Sequence, residues 1–133
     1  SLEQIEKTIA KKRWVANMYN MMLADCPYIT THKEKPWARH GFWMYGILAR
    51  AHGSVTRDAL RKTLLTQSID TRDFFVPAHR QPALKKLGLA DKPRYPIADR
   101  LSIRGLYLPS GPDITEKDIR TVARSIKTIY GNV

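Results

Sequence analysis

Apolar residues at Leu2, Ile5, Ile9, Ala16, Tyr19 and Leu23 recur at three- and four-residue steps. That period predicts one long amphipathic helix over residues 2–24, with Lys12 the single cation in the stripe. Val15, Met18 and Met22 form a second stripe, so the helix should meet neighbours on two sides, and Pro27 is expected to end it. Tyr28–Thr31 reads as a short edge strand. The uncharged run Gly41–Ala49 reads as a central strand, apolar on both faces and therefore covered on both. A second helix starts at the N-cap Thr56, with Val55 stapled to Leu60, and buries Leu60 and Leu64 before stopping near Gln67. Residues 69–76 read as another strand, closed by Pro77. A short helix ending near Leu87–Gly88 and a proline-punctuated stretch, Lys92–Pro96, follow. The last helix is signposted by a capping box, Thr115 with Asp118, and by Ile114 opposite Ile119. Its buried face is Ile119, Val122, Ala123, Ile126 and Ile129, and Gly131 is expected to stop it. The order of elements reads as a small α/β (α+β) fold, a few-stranded sheet with flanking helices and a long N-terminal helix.

Composition adds two constraints. At 133 residues the chain is one domain's length, read as a single domain 1–133, and 43% apolar and 26% charged residues are ordinary for a folded domain. The net charge of +11 is not ordinary. It suits an anionic partner (nucleic acid, phospholipid or a phosphorylated ligand) and equally a domain whose missing partner is acidic. The lone Cys26 cannot form an internal disulfide. No run approaches the roughly 20 apolar residues of a bilayer span, and no leader pattern opens the chain. The expectation is a cytoplasmic protein.

Chemistry-bearing motifs are sparse. There is no glycine-rich phosphate loop, no Cys/His set at metal spacing, and no nucleophile in a recognisable setting; His32, His40, His52 and His79 are scattered. The densest polar group is Asp70–Pro82, where Arg72, His79 and Arg80 sit at a strand end and the loop beyond. Arginine there suits a carboxylate or phosphate. The alternative is surface charge around a turn, with His79 bonded to backbone. Trp43, Tyr45 and Phe75 are expected to pack in the core.

The segment Ser68–Pro82 resembles a hallmark of the DegT/DnrJ/StrS-type PLP-dependent nucleotide-sugar aminotransferases. Trp43-Met44-Tyr45 upstream, Tyr95–Ser102 with Gly105–Gly111 downstream, the final-helix entry Ile114–Ile119, and the opening Leu2–Glu6 with Ala10–Arg13 are similar to that family's motifs in the same order. Gly105–Ser110 is similar to perosamine-synthase-like members. The resemblance implies the small C-terminal domain of the aspartate-aminotransferase-like fold (PLP fold type I). It implies a parent enzyme that moves an amino group from glutamate to a nucleotide-linked keto-deoxy sugar, in cell-surface polysaccharide or glycan biosynthesis. It also implies a homodimer with a missing large domain that holds the PLP. No lysine here precedes the Gly-Gly that follows the family's Schiff-base lysine, so no catalytic residue and no bound cofactor are expected in this chain, which should be inactive alone. Carried over by position, Arg72 and His79 are the substrate-binding candidates: Arg72 for a carboxylate or phosphate, His79 for the sugar or for ordering the loop. Ser68 stands where the family has glycine, which suggests a different turn, and Leu84 where an aromatic is usual. Two other readings stay open: a free-standing basic module for nucleic acid, and a non-catalytic dimerisation domain. Against the first, the basic residues are spread along the chain and no nucleic-acid motif is present.

Overall fold

The computed structural model describes residues 2–88 and 95–131; Lys92–Arg94 of the proline-punctuated stretch lie outside the described residues. The 3–4 period does build the long helix. A single 3-10 turn, Leu2–Gln4, leads into α1, Ile5–Met22. The helix ends at Met22, where the Leu23 amide still bonds the Tyr19 carbonyl, several residues before Pro27. Only the C-terminal part of the stripe is core: Val15, Ala16, Tyr19 and Leu23 are buried while Ile5 is exposed.

Four short strands make one antiparallel sheet. They are β1 (Ile29–Thr30), β2 (Tyr45–Ala49), β3 (Arg72–Asp73) and β4 (Gly105–Leu108), in the order β1-β2-β4-β3. Two expected strands are shorter than their apolar runs. The run Gly41–Ala49 starts pairing only at Tyr45, because Phe42 turns with φ 45° into the left-handed region and throws Trp43 outward. Trp43 is 72% exposed and Phe75 68%, so both leave the core expected for them; Tyr45 is fully buried. The run 69–76 pairs only at Arg72 and Asp73, with one further bond from the Phe74 amide to the Gly105 carbonyl. β4 was not expected as a strand, yet it is central: Tyr45 pairs with Leu108 and Ile47 with Leu106.

Antiparallel register sorts the side chains by face. Tyr45, Ile47, Ala49, Leu106, Leu108 and Ile29 point to one side, where they are buried beneath α1, α2 (Arg57–Thr66) and α5 (Glu116–Gly131). Tyr19 and Tyr45 stack there with ring centroids 4.8 Å apart. Burying one such large side chain is worth about 1.5–3 kcal/mol relative to leaving it exposed. On the other side α4 (Pro96–Arg104) packs against β2 and β4. The Phe74 ring lies there over Gly46 and Gly105 and stacks on Tyr107 at 4.4 Å. A Cβ on Gly46 would sit 2.6 Å from Phe74 Cζ, so glycine at 46 is required for that seat.

Both helix starts form as the sequence indicates. The Thr56 hydroxyl accepts from the Ala59 amide, and Asp118 accepts from the Thr115 amide and hydroxyl while Thr115 Oγ1 accepts from the Asp118 amide. The end of α2 closes through a left-handed turn at Ser68. The Ser68 amide bonds the Leu65 carbonyl and the Ile69 amide the Leu64 carbonyl, a Schellman closure with Ser68 at φ 61°. Serine here adopts a conformation that glycine takes more readily, with Ile69 buried along with Leu64. A short α3, Pro82–Lys86, ends at Leu87 with Gly88 at φ 68°. In α5 Tyr130 is buried and Ile129 only partly, and the helix runs to Gly131, the last described residue.

Candidate functional site

A cleft of about 770 Å³ opens between the start of β3, the segment after β4 and the first turns of α5. The chain reaches it through the α2 closure: Ser68 and Ile69 turn the backbone so that Asp70, Thr71 and Arg72 run along its rim. Arg72 is exposed and makes no ion pair with any described residue, whereas Asp73 beside it is held by Arg57 at 2.5 Å and Arg61 at 3.3 Å. The alternation of strand side chains produces this split. Asp73 points toward α2, and Arg72 is left with its charge uncommitted.

Thr71 is 4% exposed, and its hydroxyl has no hydrogen-bond partner among the described residues. Such a group costs about 1–3 kcal/mol. Lys117, in the first turn of α5, is the other cation at the cleft.

Across the cleft from Arg72, the segment Pro109–Ile114 is fastened to α1. Lys12 Nζ donates to the Ser110 carbonyl at 2.6 Å and to the Trp43 carbonyl at 3.2 Å; Lys11 Nζ donates to the Ile114 carbonyl at 2.8 Å. Tyr19 Oη donates to the Pro109 carbonyl at 2.8 Å, and Ser110 Oγ accepts from the Tyr45 amide. The lone cation in the apolar stripe of α1 is thereby explained: its stem follows the helix and its head caps carbonyls that no strand or helix satisfies. Burial raises the pKa of both Tyr19 and Tyr45 well above the usual phenol range, so both stay neutral donors.

His79 is elsewhere. It lies in the 3-10 turn Ala78–Arg80, away from the cleft lining, with Nε2 2.8 Å from Asp99 Oδ1 on α4; Arg80 Nε contacts the same oxygen at 2.6 Å. Arg80 first and His79 second hold the Asp99 carboxyl below its ordinary range. The Tyr95 ring sits 5.0 Å from the imidazole. The structure thus does not bring Arg72 and His79 into one cleft. The partner of His79 is a carboxylate, not the backbone. Lys12, Thr71 and Asp99 were not singled out as site residues. Only Lys12 carried a sequence signal, a charge where the period called for an apolar residue.

The sequence of this chain matches the family described as DegT/DnrJ/EryC1/StrS aminotransferases over residues 1–127. The chain belongs to that family. Among relatives, it is 33% identical to the GDP-perosamine synthase of Vibrio cholerae over 97% of this chain and 34% of the relative. It is 31% identical to that of Escherichia coli O157:H7 over 98% and 34%. It therefore spans about a third of the length of the curated relatives it matches. Solved structures agree on the fold. DesV of S. venezuelae superposes with a TM-score of 0.86 at 23% identity over 99% of this chain and 34% of that one. A DegT/DnrJ/EryC1/StrS aminotransferase from Brucella abortus gives 0.82 at 24% over 98% and 33%. The fold is that of a small α/β domain of the fold-type-I PLP aminotransferases.

The described residues do not by themselves fit the PLP of this family. A Schiff-base lysine needs an amine free to react in a sheltered pocket. Here the partly buried Lys11, Lys12 and Lys127 are committed to carbonyls or to Asp25, and the other described lysines are exposed.

Proposed function

We propose that this chain is the C-terminal small domain of a PLP-dependent nucleotide-sugar aminotransferase that moves an amino group from glutamate to the ketone of a GDP-linked 4-keto-6-deoxy sugar. The observation that carries the reading is 30–33% identity to three proteins named GDP-perosamine synthase across 96–98% of this chain. In this reading the parent enzyme is a cytoplasmic homodimer serving surface-glycan synthesis. Its large domain supplies the lysine and the cofactor cup, and the isolated chain is inactive. Arg72, exposed on the cleft rim and free of any described carboxylate, is the group available to an anionic part of the substrate. His79, oriented by Asp99, contributes through its loop.

The test is amination of GDP-4-keto-6-deoxy-mannose by the complete protein with glutamate and PLP, followed by mass spectrometry of the sugar. Arg72→Ala is expected to slow turnover by well over tenfold, the loss of a desolvated charged hydrogen bond of about 2–5 kcal/mol. Arg72→Lys should restore little of a bidentate contact. Unchanged single-turnover rates in both half-reactions for Arg72→Ala would remove it from the site. No amination of any nucleotide-linked ketone would remove the activity itself.

A further inference from the structure

The segment between β1 and β2 is fastened to the sheet by two imidazole rings acting as hydrogen-bond acceptors. β1 pairs Ile29 with Ala49 and Thr30 with Leu48; continued by two residues, that register sets His32 opposite Gly46. At that place the His32 ring substitutes for a ladder carbonyl, and the Gly46 amide donates to His32 Nε2 at 3.2 Å. Ten residues on, the Phe42 amide donates to His40 Nδ1 at 2.8 Å, and the two rings stack at 4.1 Å. This bond holds Phe42 at φ 45°, a conformation costly to a bulky residue, with its ring 4% exposed. The two imidazoles meet edge to face, centroids 5.1 Å apart.

A backbone amide can only donate. Both accepting nitrogens therefore carry lone pairs, and both rings are neutral, His32 protonated on Nδ1 and His40 on Nε2. We infer that His32 is an acid-released latch that holds the start of the β1–β2 segment against the edge of β2 at neutral pH and gives up the Gly46 amide when its ring protonates, while Arg13 and Lys12 keep their bonds to the His40 and Trp43 carbonyls. Protonation turns the His32 acceptor into a donor facing a donor.

The other titratable and charged groups facing the pair do not replace the lost bond. Glu34 accepts from the His40 backbone amide, at 2.6 Å, and from Arg13 of α1, which also donates to the His40 carbonyl; Arg13 already neutralises that carboxylate. Tyr45 of β2, 5.8 Å from His32, gives its hydroxyl proton to Asn20. Lys33 and Arg39, the charged neighbours in sequence, are exposed, and Arg39 pairs with Glu6 of α1. Burial and the neighbouring His40 lower the pKa of His32. The sign follows: the latch is complete above the ordinary histidine range and is lost as pH falls through and below it.

The experiment is hydrogen exchange of the Gly46 amide in this chain between pH 7.5 and 5, corrected for the intrinsic rate. Its protection is expected to fall by about tenfold per pH unit below the His32 pKa, while amides of β4 stay protected. His32→Gln keeps an acceptor oxygen near the nitrogen's place and cannot titrate; its Gly46 protection should be flat over the same range. Flat protection in the unaltered chain, or an equal fall in the variant, would overturn the latch. Should that variant not fold, ring-nitrogen NMR of the unaltered chain at pH 7.5 decides. Nδ1–H on His32 supports it, and the opposite tautomer or a charged His32 ring refutes it.

Discussion

Placing a methyl group on Gly46 tests the packing of the sheet's second face. The added Cβ would lie 2.6 Å from Phe74 Cζ, 2.7 Å from Cε1 and 3.3 Å from Tyr107 Cδ1. Carbon atoms settle at about 3.5–4.0 Å, so the Phe74 ring must lift by roughly 1 Å. It cannot lift freely, because it is stacked on Tyr107 at 4.4 Å and spans to Gly105, where a Cβ would come within 2.1 Å of its Cγ. Overpacking of this kind costs about 1–3 kcal/mol, and part of the aromatic pair's 0.5–1.5 kcal/mol goes with it. Gly46→Ala is therefore expected to destabilise the chain by about 2 kcal/mol. All three close atoms belong to side chains, and two belong to one ring. In a Phe74→Ala background the same substitution should cost nothing, or stabilise slightly through the lower entropy of the unfolded chain. Urea unfolding of the four proteins of the cycle, followed by circular dichroism, gives the coupling energy, expected near 2 kcal/mol. A Gly46→Ala penalty that is the same with and without the ring would show that the strand, not Phe74, demands glycine.

Ser68→Gly should raise stability by about 0.5–1 kcal/mol, the left-handed penalty of serine less the extra unfolded-state entropy of glycine, with Ser68→Ala giving no gain in the same urea titration. Lys12→Met keeps the stem but strips the Ser110 and Trp43 carbonyls of a charged donor, and a loss of about 1.5–3 kcal/mol is expected in denaturant melts. Glu34 is held down to about 2 from an ordinary 4.5, chiefly by Arg13, so its contribution is complete above 4.5 and fades as pH falls from there toward 2. Glu34→Gln should flatten the stability–pH curve in that window and leave its shape above pH 5 unchanged.

What could be read from the sequence depended on how local its cause is. The starts of α2 and α5 rest on side chains within a few residues of the helix ends, and Thr56, Thr115 and Asp118 act as their spacing indicates. Strand limits depend on partners far away. Nothing within Gly105–Leu108 says that it will lie between β2 and β3, and nothing within Gly41–Met44 says that His40 will bend Phe42 out of register. Exposure of Trp43 and Phe75 follows from those tertiary decisions. For the site, the resemblance carries Arg72 and His79 over together as substrate-binding candidates, and the structure sets them apart, Arg72 on the cleft rim and His79 against Asp99 of α4. The chain between them turns, and Asp99, twenty residues beyond His79, takes the imidazole.

The bonds from α1 have a mechanical consequence. An 18-residue α-helix is roughly 27 Å of stiff rod. Three consecutive residues of this rod, Lys11, Lys12 and Arg13, with Tyr19 two turns on, are bolted to carbonyls at His40, Trp43, Pro109, Ser110 and Ile114. Three of those five, Pro109, Ser110 and Ile114, line the cleft that Arg72 borders. The first two turns of the helix bury no residue in the core, and Glu6 there pairs with Arg39. A tilt of this rod is carried through those bonds to one wall of the cleft, while the opposite wall, carrying Arg72, is anchored through Asp73 to α2. The width of the cleft is thus geared to the angle of α1.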